Sequence, residues 1–432
     1  MLLDTKLLRQ KVYDLAISGQ LVPQLDSEPD VEQLGKSPED VPFDIPEKWK
    51  WVKLDTISIQ TMQKVPDQSF QYIDVSSIEN FSLSDLETIL PEEAPSRARK
   101  IVKDGMILYS TVRPYLNKVY VASHISFETI ASTAFATFSC TNHSYNKYIF
   151  YVLISSYFVS YVRSVQRGVS YPAINNKLFF SSLIPLPPLE EQKRIVAKVD
   201  EIFAELDAID MTYSELEQLG TLSKSKILDL AIKGQLVLQL ESEPAVEQIG
   251  KVPEDVPFEI PAKWKWLYLS NVGRWKSGGT PDRSKHEYYD NGNIPWLKTG
   301  DLNDGFIDSV EECITQLGLD NSSAHINPIG SVLIAMYGAT IGKLGILNIP
   351  CATNQACCAC VTEDKIIFNK FLFFYLLSQR RHLVALGAGS GQPNISKTKI
   401  INYPIPLPPL EEQKRIVAKV EELFALIDAM KK

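Results

Sequence analysis

The sequence has no stretch of eighteen consecutive apolar residues, which argues against a membrane span. The first twenty residues, MLLDTKLLRQKVYDLAISGQ, lack the long apolar core and the small-residue cleavage site of a signal peptide. Six cysteines in 432 residues are too few for a disulfide scaffold. We therefore expect a reduced, cytoplasmic protein that does not associate with a membrane.

Signatures of catalysis are also scarce. The glycine-rich run GAGSG, which starts at Gly387, is followed by QPN, which does not open a helix, so a nucleotide or S-adenosylmethionine site there is disfavoured. The cysteines of CATNQACCAC lack the spacing of a zinc site, and the five histidines are isolated from one another. The sequence therefore predicts no bound cofactor, no metal site and no catalytic activity in this chain.

Charge is distributed unevenly along the chain. The formal net charge is −8, which taken alone disfavours a nucleic-acid partner. Residues 189–220 carry nine acidic and three basic side chains, whereas residues 96–120 carry six basic and one acidic. A local basic patch can neutralise phosphates even in an acidic protein. The distribution favours binding in the basic patch, and it places the acidic excess elsewhere.

Two long segments occur twice. The sixteen residues IPLPPLEEQKRIVAKV stand at 184–199 and again, unchanged, at 405–420. A second segment, residues 14–51, has a close copy at 229–266. Such self-similarity indicates two structural units, each about half of the chain. The two repeated elements run together in the middle and are split at the ends, so the order predicts a cyclic pseudo-twofold arrangement.

The sixteen-residue repeat is typical of a helix start. Pro188 and Pro409 suit the first helical position, and Glu190 and Glu191 would oppose the positive end of the helix dipole in the first turn. Apolar residues then recur at alternating steps of four and three, which is the heptad pattern of a coiled coil. The residues of this stripe are Ile195, Val199, Ile202, Leu206, Ile209, Tyr213 and Leu216, with Ile416, Val420, Leu423, Ile427 and Met430 in the second copy and Leu8, Val12 and Leu15 near the start.

Two unlike blocks lie between the repeated parts. Each opens with WKW, whose tryptophans we interpret as packing residues on a strand, and each closes with a loop rich in small and amide residues. The predicted fold class is α/β (α+β), with two mixed globular domains joined by long antiparallel coiled-coil helices. The predicted segments are an N-terminal half of the helical region at 1–40, domain one at 41–183, a central helix at 184–255, domain two at 256–404 and a C-terminal helix at 405–432.

Basic residues with aromatic and amide neighbours on loops are the residue types that contact phosphates and base edges. Both blocks place such residues beside predicted strands, namely MILYSTV in the first and GSVLIAMYGATIGKLGIL in the second. The second block also holds the basic Arg274, Arg283 and Lys285 ahead of its strands. The selected DNA-binding candidates are Arg97, Arg99, Lys100, Ser110, Thr111, Arg113, Tyr115, Lys118, Tyr171 and Asn175 in the first block, and Lys276, Ser277, Thr280, Lys298, Tyr337, Thr340, Lys343, Gln392 and Asn394 in the second.

The whole chain resembles the specificity subunit of a type I restriction-modification system. The resemblance rests on the recurring IPLPPLEEQKRIV, on SRARKIVKDGMILYSTVRPYLNKV and SYPAI in block one, and on SGGTP, NIPWLKTGDL and NQACC in block two. It implies that the blocks are target-recognition domains, each reading half of a bipartite double-stranded DNA sequence. It also implies partners: two adenine-N6 methyltransferase subunits that use S-adenosylmethionine, and one or two restriction subunits that use ATP and Mg²⁺.

Two other classes of protein stay open at this stage. A coiled-coil scaffold whose two heads bind proteins would show no salt-dependent affinity for DNA. A stand-alone methyltransferase would bind S-adenosylmethionine by itself, and the sequence offers no motif for that.

Overall fold

The chain folds into two compact units of similar size. They comprise Met1–Thr212 and Tyr213–Lys432. The structure is a computed structural model, and it describes residues 3–125, 127–168, 170–387 and 394–430. The predicted division into two halves is confirmed, while the finer five-segment boundaries stay predictions.

Unit one contains one small helix-and-sheet domain, residues 50–186, which we call head one, together with helical segments. Its strands are β1 (Lys50–Lys53), β2 (Ser58–Gln60), β3 (Phe70–Ile73), β4 (Ile78–Glu79), β5 (Ser82–Leu83), β6 (Thr88–Ile89), β7 (Ala98–Val102), β8 (Ile107–Ser110), β9 (Val119–Val121), β10 (Thr129–Ser132), β11 (Phe135–Cys140) and β12 (Leu183–Leu186). Its α-helices are α1 (Thr5–Ile17), α2 (Leu54–Ile57), α3 (Asn146–Ile154), α4 (Ser156–Val165), α5 (Asn176–Phe180) and the first part of α6 (Leu189–Ile232).

Unit two takes the second part of α6 and contains head two. Its strands are β13 (Lys265–Tyr268), β14 (Gly273–Ser277), β15 (Ile294–Leu297), β16 (Gly305–Ile307), β17 (Cys313–Ile314), β18 (Ile326–Asn327), β19 (Val332–Ala335), β20 (Leu344–Leu347), β21 (Cys351–Thr353), β22 (Cys357–Thr362) and β23 (Pro404–Leu407). Its further α-helices are α7 (Gln316–Asp320), α8 (Asn369–Leu386), α9 (Lys397–Ile401) and α10 (Leu410–Met430).

The two heads have one topology despite unlike sequences. In head one, the strand orders are β6-β3-β10-β7 and β2-β11-β8-β9; in head two they are β17-β15-β21-β18 and β14-β22-β19-β20-β16. Each head pairs the same two strands in parallel, β3 with β10 and β15 with β21, while the other strand pairs of these four sheets are antiparallel apart from β16 with β20. The mixed α/β fold class is therefore confirmed, and head two adds one edge strand.

The long helix forms as the heptad stripe predicts. The helix α6 runs 44 residues without an internal proline, and Ile195 and Val199 on its apolar stripe are almost fully buried. It ends at Ile232, just before Gly234, whose φ of +69° is a conformation that other residues rarely adopt. The predicted first helical position was wrong by one residue. Both helices begin at the leucine after the proline, and the Pro188 carbonyl accepts the first helical hydrogen bond, from the Gln192 N–H at 2.9 Å.

Each unit pairs two helices antiparallel. In unit one, the Arg9 guanidinium of α1 contacts the Asp207 carboxylate at 2.7 Å and stacks over the Phe203 ring of α6 at 5.0 Å. In unit two, the equivalent Lys224 of α6 contacts Asp428 of α10 at 2.6 Å and lies 5.0 Å from the centre of the Phe424 ring. Arg9 and Lys224 lie 215 positions apart, the spacing of the second repeat, and Phe203 and Asp207 lie 221 positions before Phe424 and Asp428, the spacing of the first. The repeat therefore encodes the same helix pair twice. In unit one the pair is α1 with the first part of α6, and in unit two it is the second part of α6 with α10.

An arginine brace fixes the repeated loop to the helix start in each unit. The Arg194 guanidinium donates two hydrogen bonds to the Glu28 carboxylate, at 2.9 and 2.8 Å, and one to the Pro23 carbonyl at 3.0 Å. In unit two, Arg415 makes the same fork to Glu243 at 3.0 and 2.7 Å. Such bidentate, charge-assisted pairs are the geometrically specific ones. The brace orders a segment that otherwise has little regular structure.

The helix-start glutamates have two different environments. Glu190 is exposed and pairs with Lys193 at 2.7 Å, as the dipole interpretation allows. Glu191 also lies in the first turn, as predicted, but its side chain is fully buried, which the sequence did not reveal. Burial raises the pKa of Glu191, and the neighbouring Trp49 indole and Gln24 amide oppose the shift. Burial likewise raises the pKa of its repeat partner Glu412.

The tryptophans and cysteines serve the cores, as the sequence predicts. Trp49, Trp51, Trp264 and Trp266 are all buried. Cys358 and Cys360 face one hydrophobic cluster, and Cys357 faces another, as strand alternation requires. Among the described residues, no single helix has the length and apolar character of a membrane span; α3 and α4 reach it only when taken together, and they meet at 64°.

Candidate nucleic-acid interface

Three backbone segments meet at one end of head one, and we call this end its tip. They are the strand loop after β8, the sheet turn between β10 and β11 and the return loop before α5, namely residues 111–118, 132–134 and 170–175. The Thr111 N–H donates to the Ala134 carbonyl at 2.8 Å, and the Ile174 N–H donates to the Thr111 carbonyl at 2.9 Å. Segments distant in sequence are thus held side by side by main-chain bonds, whatever their side chains.

Head two builds the same junction. Its strand loop, sheet turn and return loop are residues 336–343, 354–356 and 394–396. The Met336 N–H donates to the Ala356 carbonyl at 2.8 Å, and the Ile395 N–H donates to the Met336 carbonyl at 2.7 Å. The bonds correspond one to one with those of head one. The candidate Gln392 lies outside the described residues.

Arg113 and Tyr171 come together at the tip of head one. Arg113 has left-handed backbone angles (φ 47°, ψ 53°), and its N–H donates to the Pro172 carbonyl at 2.7 Å. Its guanidinium lies 5.2 Å from the centre of the Tyr171 ring, and that residue is 74% exposed. A guanidinium held over an exposed ring keeps its outer edge available for a further partner.

Arg97 joins this tip through the sheet turn. The Thr133 N–H donates to the Arg97 carbonyl at 2.8 Å, and the Arg97 side chain is exposed. The adjacent Tyr72 was not among the predicted residues. Burial raises the pKa of Tyr72, and its hydrogen bond to Ser132 and the Arg97 charge oppose that shift. The basic patch seen in the sequence therefore has two parts at this tip, Arg97 and Arg113, from different sheets.

The remaining candidates of head one serve partly or wholly in the fold. Lys100 is 5% exposed, and burial lowers its pKa. The Ser110 and Thr111 hydroxyls are buried, and they donate to main-chain carbonyls at 2.8 and 2.7 Å. Burial of both faces of β8 accounts for Ser110, since all four residues of that strand are buried, whereas Lys100 lies on the buried face of β7. The Ser110 and Thr111 side chains are placed to support the strand loop from within.

Four further candidates lie at the edge of this tip. The Lys118 ammonium donates to the Val75 carbonyl at 3.1 Å, and the Asn175 amide oxygen caps α5 by accepting from the Leu178 N–H at 2.8 Å. Arg99 is half-buried and donates to the Ala98 carbonyl at 2.7 Å. Tyr115 is half-buried within the strand loop.

In head two, polar side chains gather around the sheet turn. The Thr280 hydroxyl donates to the Gln355 amide oxygen, and the main chain of Tyr337 bridges to Asn394. Burial raises the pKa of Tyr337, and its hydrogen bond with Gln355 opposes that shift. The SGGTP segment reaches this turn because Gly278 has no side chain; a Cβ there would lie 2.1 Å from the Thr353 carbonyl oxygen. Gln355 was not selected from the sequence, although it lies in the quoted NQACC.

The other candidates of head two surround this cluster. Lys276 is exposed at the end of β14, and the next residue, Ser277, contacts the Met336 sulfur at 4.0 Å. The Lys343 side chain is exposed, and its N–H donates to the Thr340 carbonyl at 2.9 Å. The Lys298 ammonium pairs with Glu312 at 2.9 Å, a partner that the sequence did not reveal.

Arg380 and Asp304 hold the base of the head-two strand loop. The Arg380 guanidinium forms an ion pair with Asp304 and donates to the Gly342 carbonyl at 2.8 Å. The Asp304 carboxylate also accepts from the Leu344 N–H at 2.9 Å. The loop that presents Thr340 and Lys343 is thus fixed at its C-terminal end.

No metal site is evident in the described part of the chain, where no group of three or more His, Cys, Asp or Glu side chains is arranged to hold an ion. What the two tips offer is exposed cationic, amide and aromatic groups on main-chain junctions. These groups can bind anions, stack on planar rings and form hydrogen bonds with polar edges.

Comparison with known proteins identifies the family. The family model of the type I restriction modification DNA specificity domain matches residues 46–218 and 261–432, one match per head. The MjaVIII specificity subunit of a type I restriction enzyme from Methanocaldococcus jannaschii is 31% identical over 66% of this chain and 65% of its own length. The chain spans about two fifths to two thirds of the length of the curated relatives it matches first.

Two solved structures are also similar to this chain over most of its length. The HsdS subunit from Thermoanaerobacter tengcongensis is 26% identical, with a TM-score of 0.54 over 90% of this chain and 93% of its own. A chain from a study of complex assembly and conformational transition of the type I R-M system is 27% identical, with a TM-score of 0.67 and the same coverage. The chain therefore belongs to the family of type I restriction-modification specificity subunits, and it has two target-recognition domains.

Proposed function

We propose that this chain reads a bipartite sequence in double-stranded DNA, one half-site with each head, and has no catalytic activity of its own. The observation that carries the proposal is the shared junction at the two tips. The same main-chain bonds present Arg113 and Thr133 in head one but Tyr337 and Gln355 in head two. A common frame with unlike side chains suits two readers of different sequences.

The chemistry of the tips suits this role. Exposed cations such as Arg97, Arg113 and Lys276 would contact phosphates and supply affinity that weakens as salt rises. Arginine, asparagine and glutamine also form bidentate hydrogen bonds with base edges, each worth about 1–3 kcal/mol of discrimination. The buried Ser110 and Thr111 would act by holding the strand loop.

The duplicated frame suits two copies of one partner. Lys48 donates to three loop carbonyls within residues 25–28 at 2.7–3.0 Å, and Lys263 does the same within residues 240–243 at 2.6–2.9 Å. The repeated loops are therefore held in the same conformation, and they expose the equivalent leucines Leu25 and Leu240. We assign these surfaces to two adenine-N6 methyltransferase subunits, which would supply S-adenosylmethionine chemistry. One or two restriction subunits using ATP and Mg²⁺ would complete the assembly in the cytoplasm.

The test is enrichment of random duplexes by the complex purified after co-expression with its genomic neighbours. The expected product is one motif with two short halves and a fixed gap, and its affinity should fall steeply between 50 and 200 mM salt, about 10³-fold or more for six or more phosphate contacts. Absence of enrichment with a folded complex would instead favour a two-headed coiled-coil scaffold that binds proteins.

A further inference from the structure

A carboxylate lies within the basic part of head two. Glu312 accepts from two cations at once, from the Arg283 guanidinium through both carboxylate oxygens and from the Lys298 ammonium at 2.9 Å. Its side chain is only 23% exposed, whereas those of Arg283 and Lys298 are about half exposed. The acid is thus placed beneath the two cations.

Two aromatic rings also pack against the planar guanidinium group of Arg283, which we call the Arg283 fork. Its central carbon lies 4.5 Å from the centre of the Tyr289 ring and 4.7 Å from that of the Trp296 ring. Stacking restrains the plane of a guanidinium, and a bidentate carboxylate restrains its rotation within that plane. Together, the two rings and Glu312 fix both orientations of the fork.

The platform beneath the fork is anchored to the polar cluster of head two. The Trp296 N–H donates to the Glu312 carbonyl at 2.9 Å, and its indole N–H donates to the Gly279 carbonyl at 3.0 Å. The Tyr289 hydroxyl donates to the Pro281 carbonyl at 2.6 Å. Both aromatic residues are therefore bonded to the SGGTP segment, whose Thr280 contacts the sheet turn. The Arg283 fork belongs to the same surface as the proposed reading tip.

A carboxylate at this position should weaken DNA binding, because it repels phosphates and occupies two cations that would otherwise attract them. We propose that Glu312 positions the Arg283 fork and Lys298 for sequence discrimination by head two, at the expense of non-specific affinity. This inference rests on the proposed DNA-reading function. The proposal predicts opposite changes in sequence discrimination and in non-specific affinity when Glu312 is replaced, whereas loss of folding would lower both.

Three variants test the role of Glu312 in the purified complex. Glu312→Gln removes the negative charge and leaves Arg283 only one side-chain oxygen as acceptor. Arg283→Lys keeps the positive charge but removes the planar guanidinium group. Glu311→Gln is the matched control. Glu311 is the exposed neighbour of Glu312 and is outside the cluster, so its substitution makes the same change in net charge. The probes are a duplex with the enriched motif, the same duplex with the head-two half scrambled, and a fully scrambled duplex.

The three variants should behave differently. In Glu312→Gln, affinity for the fully scrambled duplex should rise about 3- to 10-fold, with a salt slope steeper by about 0.9 for each phosphate gained. Preference for the intact head-two half should fall about tenfold, the scale of one lost bidentate contact. Arg283→Lys should lose the same preference with an unchanged salt slope. Glu311→Gln should change the affinity for the scrambled duplex and the preference for the head-two half by less than about twofold.

Two results would overturn the role of Glu312. One is a Glu312→Gln complex that matches Glu311→Gln in both quantities. The other is equal weakening on all three duplexes, which would show a folding role alone. If the wild-type complex fails to prefer the motif over the scrambled duplex, the DNA-reading function itself fails, and this outcome is separate from the other two.

Discussion

The two heads of this protein differ at their tips and agree beneath them. Head one presents Arg113 over an exposed tyrosine, and in the described residues no carboxylate pairs with it. Head two presents Arg283 on two aromatic rings and a carboxylate. The strand order and the main-chain hydrogen bonds of the two junctions correspond, although head two has one further edge strand. The comparison teaches that a frame built from main-chain bonds can be kept while the surface chemistry changes.

The repeated segments give the opposite contrast. The arginine braces are duplicated side chain for side chain, and the helix-pair contacts are duplicated with a lysine, Lys224, in place of Arg9. Identical side chains are needed where the same partner surface must be offered twice. Unlike side chains are needed where two different targets must be distinguished. The four predictions below test the two sides of this contrast.

Charge reversal at the tips should have the largest effect. Arg113→Glu should abolish preference for the head-one half, and Lys276→Glu should weaken binding through head two, because each change removes a cation and adds a repulsive charge. Each should weaken binding of the enriched duplex by at least about 1–3 kcal/mol. Fluorescence anisotropy on duplexes with one half scrambled measures this. If both variants lost preference for the same half, the assignment of one half-site per head would be contradicted.

Breaking the arginine brace should cost the same in either unit. Glu28→Ala and Glu243→Ala each leave a half-buried arginine without its partner, and we expect a loss of about 1–3 kcal/mol in the free energy of unfolding. Urea denaturation of the complex measures the losses. Glu190→Ala, at an exposed acid, is the control and should change stability by less than about 0.5 kcal/mol. Unequal losses from the two units would break the equivalence of the frames.

Removing the stacking partner should have a smaller effect, confined to head one. Tyr171→Ala should weaken binding of the enriched duplex by about 0.5–1 kcal/mol, the scale of an exposed cation–π contact, with an unchanged fold. Titration of duplexes with either half scrambled locates the loss. A loss at the head-two half would show that Tyr171 does not act through Arg113.

The buried Glu191 and Glu412 should have a small effect on the pH dependence of folding stability. Burial raises the pKa of Glu191 and Glu412 in the folded chain, so the folded state binds protons more tightly than the unfolded state there. Their contribution to stability is therefore present at low pH and is lost as pH rises above the usual glutamate range of about 4.3. Each Gln variant, compared with wild type by urea denaturation, should gain in relative stability as pH rises from about 4 to 7. An unchanged difference across that range would contradict the buried environment.

The repeated frame could be predicted further than the tips. Heptad spacing and helix-start residues are local features, and they predicted α6 and its antiparallel partners. Duplication indicated two units, and strand alternation placed Cys358 and Cys360 on one face. The burial of Glu191 was missed, because a glutamate in a first helical turn usually faces water and nothing local indicates the indole that covers it.

The tips could be predicted only in part, since their contacts join distant segments. Arg113 was selected as a basic residue on a loop, but its left-handed backbone and its contact with Tyr171 depend on the return loop 58 residues later. Lys100 and Ser110 were predicted by the same reasoning, yet both are buried, Lys100 on the buried face of β7 and Ser110 on β8, which is covered on both faces. Glu312 lies 29 residues from Arg283, and no local pattern connects an acid to a basic patch at that distance.

The most direct measurement is a map of adenine methylation across the host genome, made by long-read sequencing of cells that express this chain with its methyltransferase neighbour. Two reading heads on a duplicated frame predict methylation at one split motif, with two short halves and a fixed gap. A contiguous motif, or no motif with the methyltransferase present and folded, would contradict the claim that each head reads its own half of the target.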